Sequence, residues 1–151
     1  MGTMKTLLAV LFLACSLVAQ ICLRDVDAAR RELRPWLDAL AKVESNCDDQ
    51  AVGDGGKAIG RFQIWRVYWA DAVERCRALR DARYEDVTER VYAERIIVAY
   101  MLRYCPEAVA SKDWEHMSRT HNGGPRGASK DATLGYWRKV NRALQEQQPN
   151  E

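Results

Sequence analysis

The chain has 151 residues, and 48% of them are hydrophobic, which is enough to bury one core. Its 23 basic and 21 acidic residues leave a formal charge of +2, a balance that argues against a nucleic-acid-binding protein. About 130 residues follow the apolar N-terminus, the usual size of a single domain. The sequence contains no internal repeat and does not indicate an oligomeric state.

The N-terminus has the pattern of a secretory signal peptide. Lys5 is the only charge before an apolar run over residues 7–18, which is too short to span a bilayer comfortably. We therefore expect a signal peptide over residues 1–19, a mature chain over residues 20–151, secretion, and no stable membrane insertion. An N-terminal anchor that is never cleaved is the alternative.

Hydrophobic spacing predicts a mostly helical chain of the α+β class, with a small β-hairpin beside a helical bundle. The predicted helical regions cover residues 34–43, 62–79 (broken near Trp65), 84–104, 114–120 and 132–144. Pro35 suits the first turn of the first helix, and Pro106 suits the end of the long one. Between the first two regions, GDGGKAIG predicts a turn or short hairpin, because glycines allow positive backbone angles.

The cysteine content agrees with export. Of five cysteines, Cys15 lies in the predicted signal peptide. The other four are Cys22, Cys47, Cys76 and Cys105. They allow three pairings, among which the sequence does not choose. We expect two disulfides in an oxidising compartment, with buried free thiols as the alternative. No CxxC pair occurs and only His116 and His121 could assist, so we expect no metal or cofactor.

Residues 119–140, RTHNGGPRGASKDATLGYWRKV, form the most distinctive stretch of the chain. Glycine and proline at this density predict a shaped loop around His121 and Asn122, and loops on a rigid scaffold often carry binding groups. The aromatic pair Tyr136 and Trp137 follows the loop. We interpret this pair as a surface that stacks on flat ligand faces such as sugar rings.

Glu44 and Asp54 are candidates for the carboxylate pair of a glycosidase. Glu44 ends the first predicted helix and Asp54 lies in the glycine-rich stretch, so the two segments can fold over each other. We expect burial to raise the pKa of Glu44, while amides and water keep Asp54 charged. Spacing alone also allows an exposed helix-end charge, a turn-forming aspartate, or Asp48 or Asp49 as the second carboxylate.

Four blocks of the sequence, in chain order, resemble the invertebrate-type (i-type) lysozymes. VESNC, D-x-G and GRFQI resemble the active-site region of that family, in which an E-S-G-C glutamate precedes an aspartate and a turn ending in G-x-F/Y-Q-I. RVYWAD, IIVAYMLRY and the HNGGP loop with GYW resemble its later segments. The blocks run from about Glu44 to Val140 and cover most of the predicted mature chain.

This resemblance implies a lysozyme-like fold that hydrolyses the β-1,4 bond between N-acetylmuramic acid and N-acetylglucosamine in the glycan strands of peptidoglycan. Glu44 would donate the proton and then activate water, and Asp54 would be the nucleophile of a retaining mechanism, with the carboxyl groups about 5 Å apart. The resemblance also implies substrate-binding roles for Lys57, Gly60, Arg61, Gln63, Tyr92, His121, Asn122 and Gly123. Alternatively, Tyr92 is a core tyrosine and His121 a hydrogen-bonding residue that fixes its loop.

The chain departs from the family pattern in three ways. It has fewer cysteines, with Ile59 and Ala128 at positions where relatives carry cysteine. Asn46 replaces the glycine of E-S-G-C. The stretch before the G-x-F-Q-I turn is shorter, so the alignment of Asp54 is less certain than that of Glu44, and Asp48 or Asp49 is the fallback.

Two other functions remain open at this point. Some i-type lysozymes are associated with isopeptidase activity on glutamyl-lysine crosslinks. This activity would need a nucleophile, for which Ser45 and Ser118 are candidates. No local motif favours either serine. The other function is that of a non-catalytic lectin that binds bacterial walls or chitin.

Overall fold

A computed structural model describes residues 7–8 and 20–147 of the chain. The predicted signal peptide over residues 1–19 therefore lies outside the described residues, apart from 7 and 8. None of the helices in the described ranges has both the length and the apolar character needed to cross a bilayer.

The described chain folds into α-helices and one small sheet. The helices are α1 (20–32), α2 (Arg34–Ser45), α3 (Arg66–Arg75), α4 (Arg90–Tyr104), α5 (Pro106–Ser111), α6 (Trp114–Gly123) and α7 (Leu134–Glu146). The strands are β1 (Val52–Gly53), β2 (Ala58–Ile59) and β3 (Ile64–Trp65), antiparallel in the order β1-β2-β3. The mostly helical α+β prediction is confirmed, and the predicted hairpin gains a third strand.

Several predicted boundaries need correction. The second helical region divides into β3, α3 and a 3-10 turn, and the long helix begins only after a separate 3-10 turn, because Glu89 between them is extended. Pro106 starts α5 as well as following the end of α4. Helix α6 continues to Gly123, so His121 and Asn122 lie in its last turn and not in the predicted loop.

Helix α4 is the centre of the core. Ile96, Ile97 and Met101 on this helix are fully buried, and α3 and α6 pack against it. Trp36 of α2 is also fully buried, and its Nε1 donates a hydrogen bond of 2.9 Å to Ser118 Oγ of α6. Because a buried indole N–H needs an acceptor, this bond sets how α2 and α6 pack together.

The sheet is held close to the 3-10 turn that precedes α4. Gly60 has φ +76°, and a Cβ added there would come within 2.5 Å of the Val87 carbonyl oxygen, so only glycine suits this position. The Tyr84 hydroxyl donates a hydrogen bond of 2.6 Å to the Ile64 carbonyl in β3. These two contacts place the hairpin turn beside the helical part of the molecule.

The structure contains one disulfide among the described cysteines, between Cys22 of α1 and Cys76 at the end of α3. The expected second disulfide is absent from the described chain, where Cys47 and Cys105 are free. Cys47 is exposed on the turn after α2, while Cys105 is buried beside Met101 at the end of α4. Burial raises the pKa of the Cys105 thiol to about 11, so this thiol stays protonated and unreactive.

A buried carboxylate joins three helices. Glu94 of α4 is 1% exposed and receives a bidentate pair of 2.7 Å hydrogen bonds from Arg34 of α2. Arg30 of α1 adds a hydrogen bond of 2.8 Å, and Arg90 adds one of 3.0 Å. Burial alone would raise the pKa of Glu94, but the hydrogen bonds from the three arginines outweigh burial and lower it to about 2.

We expect Glu94→Gln to destabilise the protein by about 3 kcal/mol at neutral pH, because it removes the buried charge on which three arginine guanidinium groups converge. The pKa of Glu94 falls on folding from 4.5 to about 2, so its stabilisation is full above pH 4.5 and is lost as the pH falls toward 2. Urea denaturation at several pH values measures the difference. A gap between the variant and the wild type that does not narrow in acid would contradict this assignment. Asp38→Asn, at a partly exposed partner of Arg34, is the control and should change stability much less.

Candidate active site

A cleft of about 490 Å³ opens beside the hairpin, between α3 and the end of α6. Its lining combines carboxylates, aromatic rings and the glycine-proline segment after α6. The lining residues are Glu44, Asp54, Gln63, Trp65, Val67, Tyr68, Asp71, Tyr100, His121, Asn122, Gly124 and Pro125. Carboxylates and aromatic rings on the walls of one cleft are the features expected of a carbohydrate-cleaving site.

The end of α2 places Glu44 at the cleft. Ser45 Oγ donates a hydrogen bond of 2.9 Å to the Arg61 carbonyl, which attaches the helix end to the segment after β2. Asn46 then reverses the chain with φ 55°, in the left-handed region, and its N–H bonds back to the last turn of α2. Asparagine is the residue that best replaces glycine in this conformation, so the departure from E-S-G-C preserves the turn.

The carboxylate of Glu44 is held through one oxygen. The Tyr136 hydroxyl of α7 donates a hydrogen bond of 2.5 Å to Oε1, and His121 Nε2 of α6 lies 3.1 Å from the same oxygen. Oε2 accepts no hydrogen bond from the described residues, and it is not among the buried polar atoms that lack a partner. Oε2 therefore faces the open cleft, where it can reach a bound molecule.

The prediction that burial raises the pKa of Glu44 is wrong in its net sign. Burial does act in that direction and is the largest single influence on this carboxyl group. Hydrogen bonds from His121 and Tyr136, together with nearby positive charge that includes Lys139, outweigh burial and lower the pKa below 4.5. The sequence could not show this, because each of these residues lies far from Glu44 along the chain.

His121 is itself held from its other side. Its Nδ1 lies 3.2 Å from the Tyr68 hydroxyl of α3, and the Tyr68 ring stacks on Tyr100 with a centroid separation of 3.6 Å. Burial raises the pKa of the Tyr68 and Tyr136 hydroxyls well above their usual value, so both keep their hydrogens. The histidine is thus fixed between a tyrosine and the Glu44 carboxylate.

Asp54 lies across the same cleft, on the turn between β1 and β2. It is exposed and has φ 49°, in the left-handed region, and its side chain lines the cleft. The fallback carboxylates do not line the cleft. Asp48 accepts a hydrogen bond from the Gln50 N–H. Asp49 forms an ion pair with Arg61, with 2.9 Å between Oδ1 and Nε, but the two groups are not oriented for a hydrogen bond. Asp54 is therefore the one of the three that shares the cleft with Glu44.

The structure brings five of the predicted site residues to the cleft wall: Glu44, Asp54, Gln63, His121 and Asn122. It does not bring Lys57, Gly60, Arg61, Tyr92 or Gly123 there.

Three of the predicted site residues that do not line the cleft make contacts elsewhere. Arg61 is buried and donates a hydrogen bond to the Cys47 carbonyl at 3.2 Å. The Tyr92 hydroxyl donates to the Leu79 carbonyl at 2.9 Å, accepts from Trp69, and so corresponds to the core alternative. Lys57 lies at the edge of the cleft, with its ammonium 6.0 Å from the centre of the Trp65 ring.

Residues at the cleft that the sequence analysis missed or gave another role include Trp65, Tyr68, Asp71 and Tyr136. Tyr68 and Asp71 stand three positions apart in RVYWAD, a spacing that places them on one helix face, so this signal was present in the sequence. Trp65 is 43% exposed at the end of β3. The stacking interpretation of Tyr136 and Trp137 is wrong, because both are half-buried on α7 and pack against the core.

Neither candidate isopeptidase serine lines the cleft. Ser45 donates its hydroxyl to a backbone carbonyl, and Ser118 is fully buried between Trp36 and the carbonyl of Trp114. Within the part of the chain that the structure describes, no group of three or more His, Cys, Asp or Glu residues is placed to hold a metal ion.

Comparisons with known proteins show which family the chain resembles. A family model described as Destabilase matches residues 34–143, which is more than half of the chain. The lysozyme of Ostrea edulis is 32% identical over 137 residues, covering 87% of this chain and 92% of that protein. Lysozyme 1 of Crassostrea virginica is 34% identical over 108 residues, covering 69% of this chain but only 55% of the longer relative.

Solved structures give the same result. The inhibitor-bound lysozyme from Meretrix lusoria is similar with a TM-score of 0.58 and 30% identity, covering 72% of this chain and 87% of that one. The Tapes japonica lysozyme has a TM-score of 0.59 and 27% identity over the same shares. The lysozyme-like fold that the resemblance implied is confirmed.

We expect Tyr136→Phe to raise the pKa of Glu44, because it removes a donor that favours the carboxylate. The pKa of Glu44 is lowered on folding, so this hydrogen bond stabilises the protein above pH 4.5 and ceases to do so as the carboxyl is protonated in acid. The variant should lose about 1 kcal/mol at neutral pH and converge with the wild type at low pH. Titration of the Glu44 carboxyl by carbon-13 NMR checks the direction. A lower pKa in the variant would contradict the assignment.

Proposed function

Since the chain belongs to the Destabilase family, the invertebrate-type lysozymes, and is a glycoside hydrolase by that membership, we propose that it cleaves bacterial peptidoglycan. The scissile bond is the β-1,4 link between N-acetylmuramic acid and N-acetylglucosamine. The observation that carries the proposal is that Glu44 and Asp54 line one cleft, the first from a helix end and the second from a hairpin turn.

In the first step, Glu44 is the general acid. Its carboxyl group passes the proton on Oε2 to the glycosidic oxygen as the bond from that oxygen to the anomeric carbon breaks, and the bonding electrons stay with the oxygen. The Asp54 carboxylate attacks the same carbon and forms a glycosyl-enzyme ester. The exposed position of Asp54 on a turn supports this role, because it leaves the carboxylate accessible to a sugar bound in the cleft.

In the second step, the Glu44 carboxylate takes a proton from water. The resulting hydroxide attacks the anomeric carbon, the bond to Asp54 breaks, and Glu44 is protonated again. Two displacements at one carbon retain its configuration. His121 and Tyr136 support the first step, because their hydrogen bonds to Oε1 stabilise the charge that Glu44 gains when it loses its proton.

A bound glycan strand changes the balance that sets the pKa of Glu44. The carboxyl is ionised in the free protein at neutral pH, since its pKa is lowered. A sugar that fills the cleft displaces water and adds to the burial that already acts most strongly on this group. Substrate binding therefore promotes the protonated form that the first step needs.

The cleft walls supply contacts for the strand. Trp65 offers an exposed ring on which a sugar can stack, and Gln63 and Asn122 offer polar groups on opposite walls. Lys57 at the edge suits the carboxylate of a muramic acid residue or its peptide. We extend the proposal to a secreted protein with a signal peptide over residues 1–19, because the Cys22–Cys76 disulfide favours an oxidising compartment. No observation favours an isopeptidase, since Ser45 and Ser118 do not line the cleft.

We expect Glu44→Gln to lower the rate of cell-wall clearing by roughly a hundred- to ten-thousandfold, because glutamine cannot transfer a proton. The assay follows the turbidity of a suspension of Gram-positive walls treated with the purified mature chain. Glu107→Gln, at an exposed position on α5, is the matched control and should clear walls normally. Clearing that survives Glu44→Gln would rule out the mechanism, whereas a wild type that binds walls tightly without clearing them would favour a lectin.

Asp54→Asn should slow hydrolysis by roughly a hundred- to a thousandfold, because the amide cannot form the covalent ester or offset positive charge at the anomeric carbon. Asp48→Asn and Asp49→Asn are matched controls that test the fallback carboxylates, and both should keep most activity. NMR of the newly released reducing ends in the wild type should show the β-anomer first. Initial release of the α-anomer would exclude a retaining mechanism. Loss of activity in Asp48→Asn or Asp49→Asn, with activity kept in Asp54→Asn, would assign the nucleophile to the substituted residue and not to Asp54.

A further inference from the structure

Both ring nitrogens of His121 face polar partners in a nearly closed space. The histidine side chain is 6% exposed, with Nδ1 3.2 Å from the Tyr68 hydroxyl and Nε2 3.1 Å from Glu44 Oε1. A neutral imidazole carries one hydrogen, on one nitrogen or the other, and the imidazolium carries both. The partners decide which of the three forms is present.

The Glu44 side favours a hydrogen on Nε2. Glu44 Oε1 is a carboxylate oxygen that accepts a hydrogen bond from Tyr136, so it has no hydrogen to donate to His121. A bare nitrogen lone pair facing that oxygen would be repulsive, whereas an N–H would donate to it.

The Tyr68 side favours a bare Nδ1. Tyr68 is buried, keeps its hydroxyl hydrogen, and has no acceptor other than His121 Nδ1 among the described residues. If Nδ1 carried a hydrogen, as it does in the imidazolium and in the other tautomer, the Tyr68 hydrogen would have no acceptor among the described residues, which is unfavourable for a buried hydroxyl. One arrangement satisfies every group: Tyr68 donates to Nδ1, and Nε2–H donates to Glu44.

We infer that Tyr68 is a positioning residue that holds His121 in the neutral tautomer with hydrogen on Nε2. This inference rests on the proposed function. With His121 held in this way, Glu44 Oε2 is the only oxygen of the carboxyl group that faces the glycosidic oxygen. His121 and Tyr136 both donate to Oε1, so the carboxyl group cannot rotate without losing two hydrogen bonds. The proton that reaches the substrate comes from Oε2, and His121 neither gains nor loses one.

Aromatic contacts restrict the position of the Tyr68 side chain. Its ring stacks nearly parallel on Tyr100, with 12° between the planes, and meets the His121 ring edge-on at 5.4 Å. Tyr100 in turn packs against Tyr104. This aromatic row runs from the cleft to the end of α4, so the hydroxyl that selects the tautomer rests on the rigid central helix.

Nitrogen-15 NMR of histidine-labelled protein tests the inference without any substrate. The chain has two histidines, and a His116→Gln variant assigns the remaining signals to His121. We expect the His121 ring to carry hydrogen on Nε2 and none on Nδ1. A His121 ring with hydrogen on Nδ1, or with hydrogen on both nitrogens, would overturn the inference even in a fully active enzyme.

Two tyrosine variants then link the tautomer to the reaction. Tyr68→Phe keeps the ring stack but removes the donor, so hydrogen should redistribute between the His121 nitrogens, and kcat should fall roughly three- to tenfold with KM unchanged within about twofold. Tyr104→Phe removes a hydroxyl from the same aromatic row without contacting His121 and should leave the His121 tautomer unchanged.

The outcomes separate this inference from the proposed function. An unchanged tautomer in Tyr68→Phe refutes the positioning role, whatever the activity. If Tyr68→Phe does not fold, the tautomer of the wild type decides alone. Full activity in Glu44→Gln, by contrast, would remove the proposed function and leave the tautomer result intact.

Discussion

The carboxylate of Glu44 is the point at which three distant parts of the chain meet. It ends α2, receives its hydrogen bonds from His121 of α6 and Tyr136 of α7, and opens on a cleft whose other wall is the hairpin. Each partner is separated from it by more than seventy residues. A carboxyl group so placed acts only when the whole helical assembly is formed, since each supporting group arrives on a different element.

Contacts elsewhere in the fold hold these helices in fixed positions relative to one another. Glu94 with its three arginines joins α1, α2 and α4, and the Trp36–Ser118 hydrogen bond joins α2 to α6. Buried polar contacts of this kind are directional, so they determine how the helices are placed more narrowly than apolar packing alone would. The precision of the cleft therefore depends on contacts that lie well outside it.

The fold, and the positions of Glu44 and Asp54 on it, could be predicted from the sequence wherever local rules apply. Helix α2, the glycine-rich hairpin, Glu44 at a helix end and Asp54 on a turn all follow from spacing, proline and glycine. What could not be predicted depends on tertiary contacts: the pKa of Glu44 is decided by His121 and Tyr136, and the half-buried position of Tyr136 depends on which face α7 turns inward. His121 was expected in a loop because glycine and proline follow it, yet the helix continues through Gly123.

Asn46 has a consequence for how such chains are recognised. The turn after Glu44 requires a left-handed backbone, and asparagine adopts it at φ 55° where the family pattern has glycine. The physical requirement at this position is a left-handed backbone angle, which both glycine and asparagine adopt. A search pattern that accepts only glycine there would therefore miss chains such as this one. Patterns written in terms of allowed conformation, with asparagine admitted, would retain divergent members whose active-site turn is intact.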